Sequence, residues 1–345
     1  MGRACAQFFD LGMKWDTTAA RISTILSRVV TLDHYPAELQ YVERMLGYTF
    51  KRKALLIEAL THASYQEPLP TPSYGRLEFL GDAVLDMAVT PYIFASKKNY
   101  SPGHIHLRRS AAVNMHFLAF VCLRAKVAVD KHMPRPTAPD WRVQMATESQ
   151  DIYLWQCMLH SSSTVIDDQN NTFARFRRLE KEISEALETG DIFPWAALTR
   201  MQAPKFFSDV VESLIGAVFL DAEGDMEIAT DVIRTLGIMR VLERVVDEDL
   251  DVLHPLSRLS VWAQQSHKEL ELISEKEKGK AVCRVLVDGE EIARDEDAYH
   301  GKVSLNEVKF TAAEKAVRIL KVREGDEKGR MMMGKRKNAR PDAKL

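Results

Sequence analysis

The apolar positions of this chain recur mostly at three- and four-residue spacing. Residues 37–47, 53–62, 76–86 and 101–127 each place apolar side chains on one side of a 3.6-residue period, which predicts successive amphipathic helices. Pro134, Pro136 and Pro139 interrupt that rhythm, because proline lacks the N–H that a helix interior needs. Between there and Ala203 the pattern turns polar: residues 161–171 read as a mobile loop and residues 174–190 as a charged, solvated helix. From Pro204 to Asp221 the chain is again strongly apolar. After His254 the period changes. Residues 254–265 read as a short helix, residues 281–295 alternate like two strands around Asp288-Gly289, and residues 308–320 return to an amphipathic helix. Near the start, Ala4, Phe8, Phe9, Leu11 and Met13 form a further helical stripe ahead of a linker at 33–36.

Two of these apolar segments carry acids. In RLEFLGDAVLD, residues 76–86, Glu78 and Asp82 are four apart and share a helix face. In PKFFSDVVESLIGAVFLD, residues 204–221, Asp209 and Glu212 are three apart and do the same. Acid pairs at such spacing are usually solvated, but both pairs here interrupt apolar runs, which predicts burial. An ionised carboxylate in a packed helix costs on the order of several kcal/mol unless something compensates it, and no Arg or Lys stands at helical spacing from Asp82. A hard divalent cation would compensate all four acids, and carboxylate oxygens are the ligands that Mg²⁺ or Mn²⁺ prefers. Such a centre suits phosphodiester hydrolysis. Gly81, directly before Asp82, and the small residues Ser213, Gly216 and Ala217 predict close helix packing beside the acids.

These two segments resemble the signature helix and the second acidic helix of the ribonuclease III family, the latter as it occurs in the second nuclease domain of Dicer proteins. The supporting segments ALTHASYQ (59–66) and HLRRSAAVNMHFLAF (106–120) stand in the same order. The resemblance implies a mainly α chain, with an all-helical endonuclease domain at 39–251, interrupted by an insertion at about 134–203. It implies that Glu78, Asp82, Asp209 and Glu212 bind Mg²⁺ (or Mn²⁺), that Lys205 assists at the scissile phosphate, and that Asn114 orients a ligand or the RNA. Double-stranded RNA would be cut by metal-activated water, leaving 5′-phosphate and 3′-hydroxyl ends, in a Dicer-like role in small-RNA production and RNA silencing. Many bacterial members carry a further acid three before the first catalytic Glu; here that position is Gly75, as is often so in Dicer-type domains.

Residues 254–322, with their α-β-β-β-α order, resemble a small α+β double-stranded-RNA-binding domain. Its usual lysine pair is Leu305 and Asn306 here, which leaves Lys302, Lys309 and Lys315 for RNA and implies weak affinity or a protein-interaction role. Residues 1–38, with LGMK at 11–14, resemble the end of a preceding nuclease domain, so the chain reads as the C-terminal portion of a Dicer-like protein. Residues 323–345 read as a basic disordered tail.

Composition narrows the class further. The chain has 345 residues, 46% hydrophobic, and a net charge of −2, so any RNA contact must rest on local patches. Four scattered cysteines show no metal-ligand spacing, no apolar run approaches a membrane span, and no phosphate-binding loop for ATP is present. A cytoplasmic or nuclear location is expected, with no membrane and no ATP. One nuclease domain supplies one cleavage centre, so the expected partners are double-stranded RNA and either a second copy, as a homodimer, or a separate ribonuclease III domain. The alternative is a non-catalytic RNA-binding or scaffold protein that retains the fold; the four acids argue against it.

Overall fold

The computed structural model describes residues 18–32, 35–66, 71–137, 142–277, 280–296 and 305–322. In chain order its elements are α1 (Thr18–Leu26), α2 (Leu39–Leu46), α3 (Lys53–Leu60), α4 (Gly75–Phe94), α5 (Pro102–Val113), α6 (Met115–Arg124), β1 (Lys126–Thr137), β2 (Arg142–Tyr153), α7 (Ser163–Thr189), α8 (Trp195–Arg200), α9 (Phe206–Asp221), α10 (Met226–Thr235), α11 (Ile238–Asp247), α12 (Pro255–Ser266), β3 (Leu270–Glu277), β4 (Lys280–Val287), β5 (Glu290–Glu296) and α13 (Leu305–Ile319). The mainly helical class is as expected. Two units are interleaved along the chain: one is Met1–Asn99, Ala112–Gln169 and Pro204–Arg240, the other Tyr100–Ala111, Asn170–Ala203 and Val241–Leu345. The apolar stripe at 4–13, LGMK, Lys302 and the basic tail lie outside the described residues. No helix of the described residues is long and apolar enough to cross a membrane.

The first unit is built around α9, and every residue of that helix is buried. A helix apolar on all sides can only be stable when other elements surround it, and α1, α3, α4, α6 and α10 all pack on α9. Leu55, Leu56, Leu60, Leu85, Phe117, Phe120 and Phe207 fill the space between them. Buried acids must then find partners. Asp221, at the end of α9, accepts hydrogen bonds from Tyr48 Oη (2.8 Å) and from the backbone N–H groups of Lys51 (2.8 Å) and Arg52 (2.9 Å). That carboxylate thereby closes the turn between α2 and α3.

The prolines at 134 and 136 sit in a strand, where the sequence pattern suggested only a break. β1 and β2 pair antiparallel from Lys126↔Tyr153 to Thr137↔Arg142 as a two-stranded ribbon. Each strand of such a ribbon has one edge without a ladder, where a missing N–H costs nothing. The expected loop at 161–171 is also corrected, because α7 begins at Ser163 and runs unbroken to Thr189. Val165 is buried in it, and the Gln169 amide donates to the carbonyl of Trp155 (3.0 Å), so tertiary anchoring overrides the polar composition.

In the second unit α12 and α13 cover the three-stranded antiparallel sheet β3-β4-β5. Leu259, Cys283, Val285, Val308, Ala312 and Ala316 are among its core residues. This is the α-β-β-β-α order expected from 254 onward. Within the same unit α13 also packs on α8: Gln202 hydrogen-bonds the buried Glu307, and Phe310 meets the ring of His254 edge-on, 4.4 Å between centroids. Arg175, in α7, donates to the carbonyls of Met201 (3.2 Å) and Gln202 (3.4 Å).

Candidate metal centre

The site forms where α4 crosses α9, and two glycines set how close that crossing is. A Cβ built on Gly81 would lie 1.7 Å from the carbonyl oxygen of Glu212, and one on Gly216 would lie 2.3 Å from the carbonyl oxygen of Leu77. Without either side chain the two backbones touch, one turn from the acids. The hydroxyl of Ser213 fixes the other side of α9 by donating to the carbonyl of Ala59 in α3 (2.7 Å).

This crossing brings together Glu78 from α4 and Asp209 and Glu212 from α9. Each offers a carboxylate oxygen, and the three atoms all lie within 4.8 Å of one another. Lys205, one residue before α9, ties the helices from outside: its Nζ is 2.8 Å from Glu78 Oε1 and 2.5 Å from Asp209 Oδ1. Asp209 also accepts a hydrogen bond from Tyr74 Oη at 3.3 Å.

Asp82 is placed differently from the expectation. The notion of four buried acids fails there: Asp209 and Glu212 are buried, Glu78 is intermediate and Asp82 is exposed. The physical reason is helix geometry. Gly81, Leu77, Val84 and Leu85 define the buried face of α4, and the side opposite them carries the exposed Phe79 and Met87. Asp82 lies toward that open side, outside the group of three, but its charge still acts on Glu212.

The electrostatics follow from this crowding. Burial, then the charges of Asp82, Asp209 and Glu78, push Glu212 up to about 8, with Lys205 opposing them. Burial raises Asp209 above its ordinary value, although its bonds to Lys205 pull the other way. For Lys205 burial alone would lower the ammonium, and the hydrogen bonds to Asp209 and Glu78 reverse this, so that it stays protonated. Burial followed by the Asp209 charge drives Tyr74 far above its ordinary value, so its phenol keeps its proton. Lys205 thus pairs with Glu78 and Asp209, Glu212 adds a third carboxylate, and the cluster's negative charge rests on hard oxygen donors. That donor set fits Mg²⁺ or Mn²⁺.

The remaining candidates among the described residues are Asn114, Lys309 and Lys315. Asn114 caps α6, its Oδ1 accepting from the N–H of Phe117 (2.9 Å), so its oxygen has a structural task. Lys315 is ion-paired with Asp295 at 2.5 Å, and Lys309 is partly exposed on α13. Tyr74 was not singled out by sequence. Its signal was its position, four residues before Glu78 and just ahead of the acidic helix, but only the fold shows that its phenol reaches α9.

Residues 75–223 match the family model of the Ribonuclease III domain, a span that runs from the first residue of α4 to just past α9 and contains the whole cluster. The chain belongs to the ribonuclease III family. Over 331 residues it is 34% identical to Dicer-like protein 2 of Coccidioides immitis (strain RS), an alignment covering 92% of this chain and 22% of that protein. It is 36% identical over 290 residues to Dicer-like protein 2 of Aspergillus oryzae (strain ATCC 42149 / RIB 40), covering 82% and 20%. The chain therefore spans about a fifth of the length of these curated relatives. Among solved structures, the nuclease domain of ribonuclease III from Campylobacter jejuni is 26% identical, with 60% of this chain and 96% of that one covered at a TM-score of 0.36.

Proposed function

We propose that this ribonuclease III chain supplies a divalent-metal-dependent endoribonuclease centre that cleaves double-stranded RNA in a Dicer-like role, producing small RNAs for gene silencing with 5′-phosphate and 3′-hydroxyl ends. The observation that carries the reading is the three-carboxylate cluster, assembled from two helices inside the matched domain. A divalent cation there would supply the Lewis acidity that activates water and stabilises the leaving oxygen of a phosphodiester. Glu78, Asp209 and Glu212 would hold it. Asp82, exposed at the rim beside Glu212, adds negative charge on the side open to substrate. Lys205 keeps its charge on a side chain that is 62% exposed, so its ammonium is able to reach a phosphate oxygen beside the acids.

A duplex needs a second centre for its second strand. The open side of α4 supports such a partner: Phe79 is 79% exposed, Met87 62% and Phe94 78%, along one helix face. A second ribonuclease III domain, from another copy or another chain, would cover those side chains and set its centre near this one. Toward the C-terminus Lys302 and Lys309 would add modest phosphate contacts, with Lys315 held back by Asp295.

The test is incubation of the purified chain with end-labelled double-stranded RNA and Mg²⁺, beside an Asp82→Asn variant and an EDTA control. Cleavage abolished in both controls is the expected result, with the wild type active alone or after a separate ribonuclease III domain is added. Absence of cleavage in both settings would overturn the reading and leave a non-catalytic scaffold.

A further inference from the structure

Tyr74, like Lys205, links the two acidic helices. Its backbone N–H donates to the carbonyl of Thr61 (2.9 Å), which fixes its entry to α4, and its own carbonyl accepts the N–H of Glu78 (2.9 Å), the first of the cluster acids. Its side chain then crosses to α9, where Oη donates to Asp209 Oδ2 at 3.3 Å. The residue is 9% exposed, and its ring lies 5.8 Å from that of His62, so the phenol has little freedom to turn away. Lys205 holds the opposite oxygen, Oδ1, of the same carboxylate.

Resting on the metal-centre reading above, we propose that Tyr74 is a positioning residue: its hydroxyl holds Oδ2 of Asp209 and so fixes the carboxylate in the orientation in which it is presented to the cation. A carboxylate held at one oxygen loses its rotation about the terminal bond, and a buried neutral donor holds it without competing as a charge. Lys205, being mostly exposed, cannot do this alone, because any move of its ammonium toward a phosphate releases Oδ1. Tyr74 keeps Asp209 oriented through that exchange. No atom of Tyr74 needs to touch the RNA or the ion.

The test measures Mn²⁺ uptake by calorimetry on the full chain, together with the Mg²⁺ dependence of cleavage, for wild type and Tyr74→Phe. The variant retains the ring and removes only the hydroxyl. A hydrogen bond to a charged group predicts about a tenfold weaker Mn²⁺ affinity and a matching rise in the Mg²⁺ midpoint, with the rate at saturating Mg²⁺ within about twofold of wild type. A purely structural role would lower the melting temperature and leave the midpoint in place. In an Asp209→Ala background, which has no acceptor for the phenol, the same Tyr74→Phe change should have no further effect on uptake. Wild-type affinity in Tyr74→Phe, or an undiminished loss in the Asp209→Ala background, would overturn the proposal while the centre itself stands. A wild type that takes up no Mn²⁺ would overturn both.

Discussion

Replacing Gly81 with alanine tests whether the close crossing of α4 and α9 sets the metal centre. The added Cβ would sit 1.7 Å from the carbonyl oxygen of Glu212 and 3.0 Å from the backbone nitrogen of Gly216. Real Cβ atoms do not come within 3.0 Å of a neighbour, so the helices must part by more than about 1.3 Å at this point. The obstacle is backbone on a helix buried along its whole length, so no side chain is able to swing aside. Overpacking of this kind costs about 1–3 kcal/mol or more, which for a unit of this size lowers the melting temperature by roughly 5–10 °C. The larger effect falls on chemistry. Glu78 moves with α4 and Glu212 with α9, and a misplacement of about 1 Å costs on the order of a hundredfold in rate. Gly75→Ala is the control, because a Cβ there meets nothing within 4 Å. Melting, Mn²⁺ uptake and cleavage are measured on both variants. If Gly81→Ala takes up Mn²⁺ and cleaves like Gly75→Ala, the crossing does not set the geometry and the argument fails.

Three further perturbations probe other parts of the same logic. Asp221→Ala leaves the Tyr48 hydroxyl and two backbone N–H groups without their buried acceptor, and a loss of about 3 kcal/mol or more is expected in urea unfolding; a change below about 1 kcal/mol would show that water replaces the carboxylate. Glu212 sits at about 8 when folded against an ordinary 4.5, so its proton stabilises the folded state fully below about 4.5, and this contribution is lost as the pH rises through about 8. In EDTA the melting temperature should therefore carry a declining component across that window, and excess Mg²⁺, which takes the place of the proton, should remove it; identical profiles with and without Mg²⁺ would argue against an ion at Glu212. Phe79→Lys places a charge on the exposed face of α4 without touching its buried side, so it should abolish association with a second ribonuclease III domain in analytical ultracentrifugation while leaving the melting temperature within a few degrees; unchanged association would move the partner surface elsewhere.

Helical spacing carried most of the way to the site because both acid pairs lie on long helices, where three or four residues mean one face whatever else the chain does. The same rule says nothing about depth. Glu78 and Asp82 share a face, yet the turn between them rotates Asp82 toward solvent, and only the packing of Leu77, Gly81, Val84 and Leu85 on α9 decides which acid goes under. The ribbon of β1 and β2 and the start of α7 were hidden for a related reason: Pro134 and Pro136 are breakers only where an N–H is needed, and Ser163 to Asn171 is polar only until Gln169 finds the Trp155 carbonyl. Tyr74 marks the boundary between these cases. Its distance of four residues from Glu78 is visible in the chain, whereas its bond to Asp209 spans 135 positions and exists only because Gly81 and Gly216 let the helices meet. The glycines therefore act before the acids do. A sequence with all four carboxylates but a side chain at either glycine would keep the motif and hold its charges too far apart to share one ion.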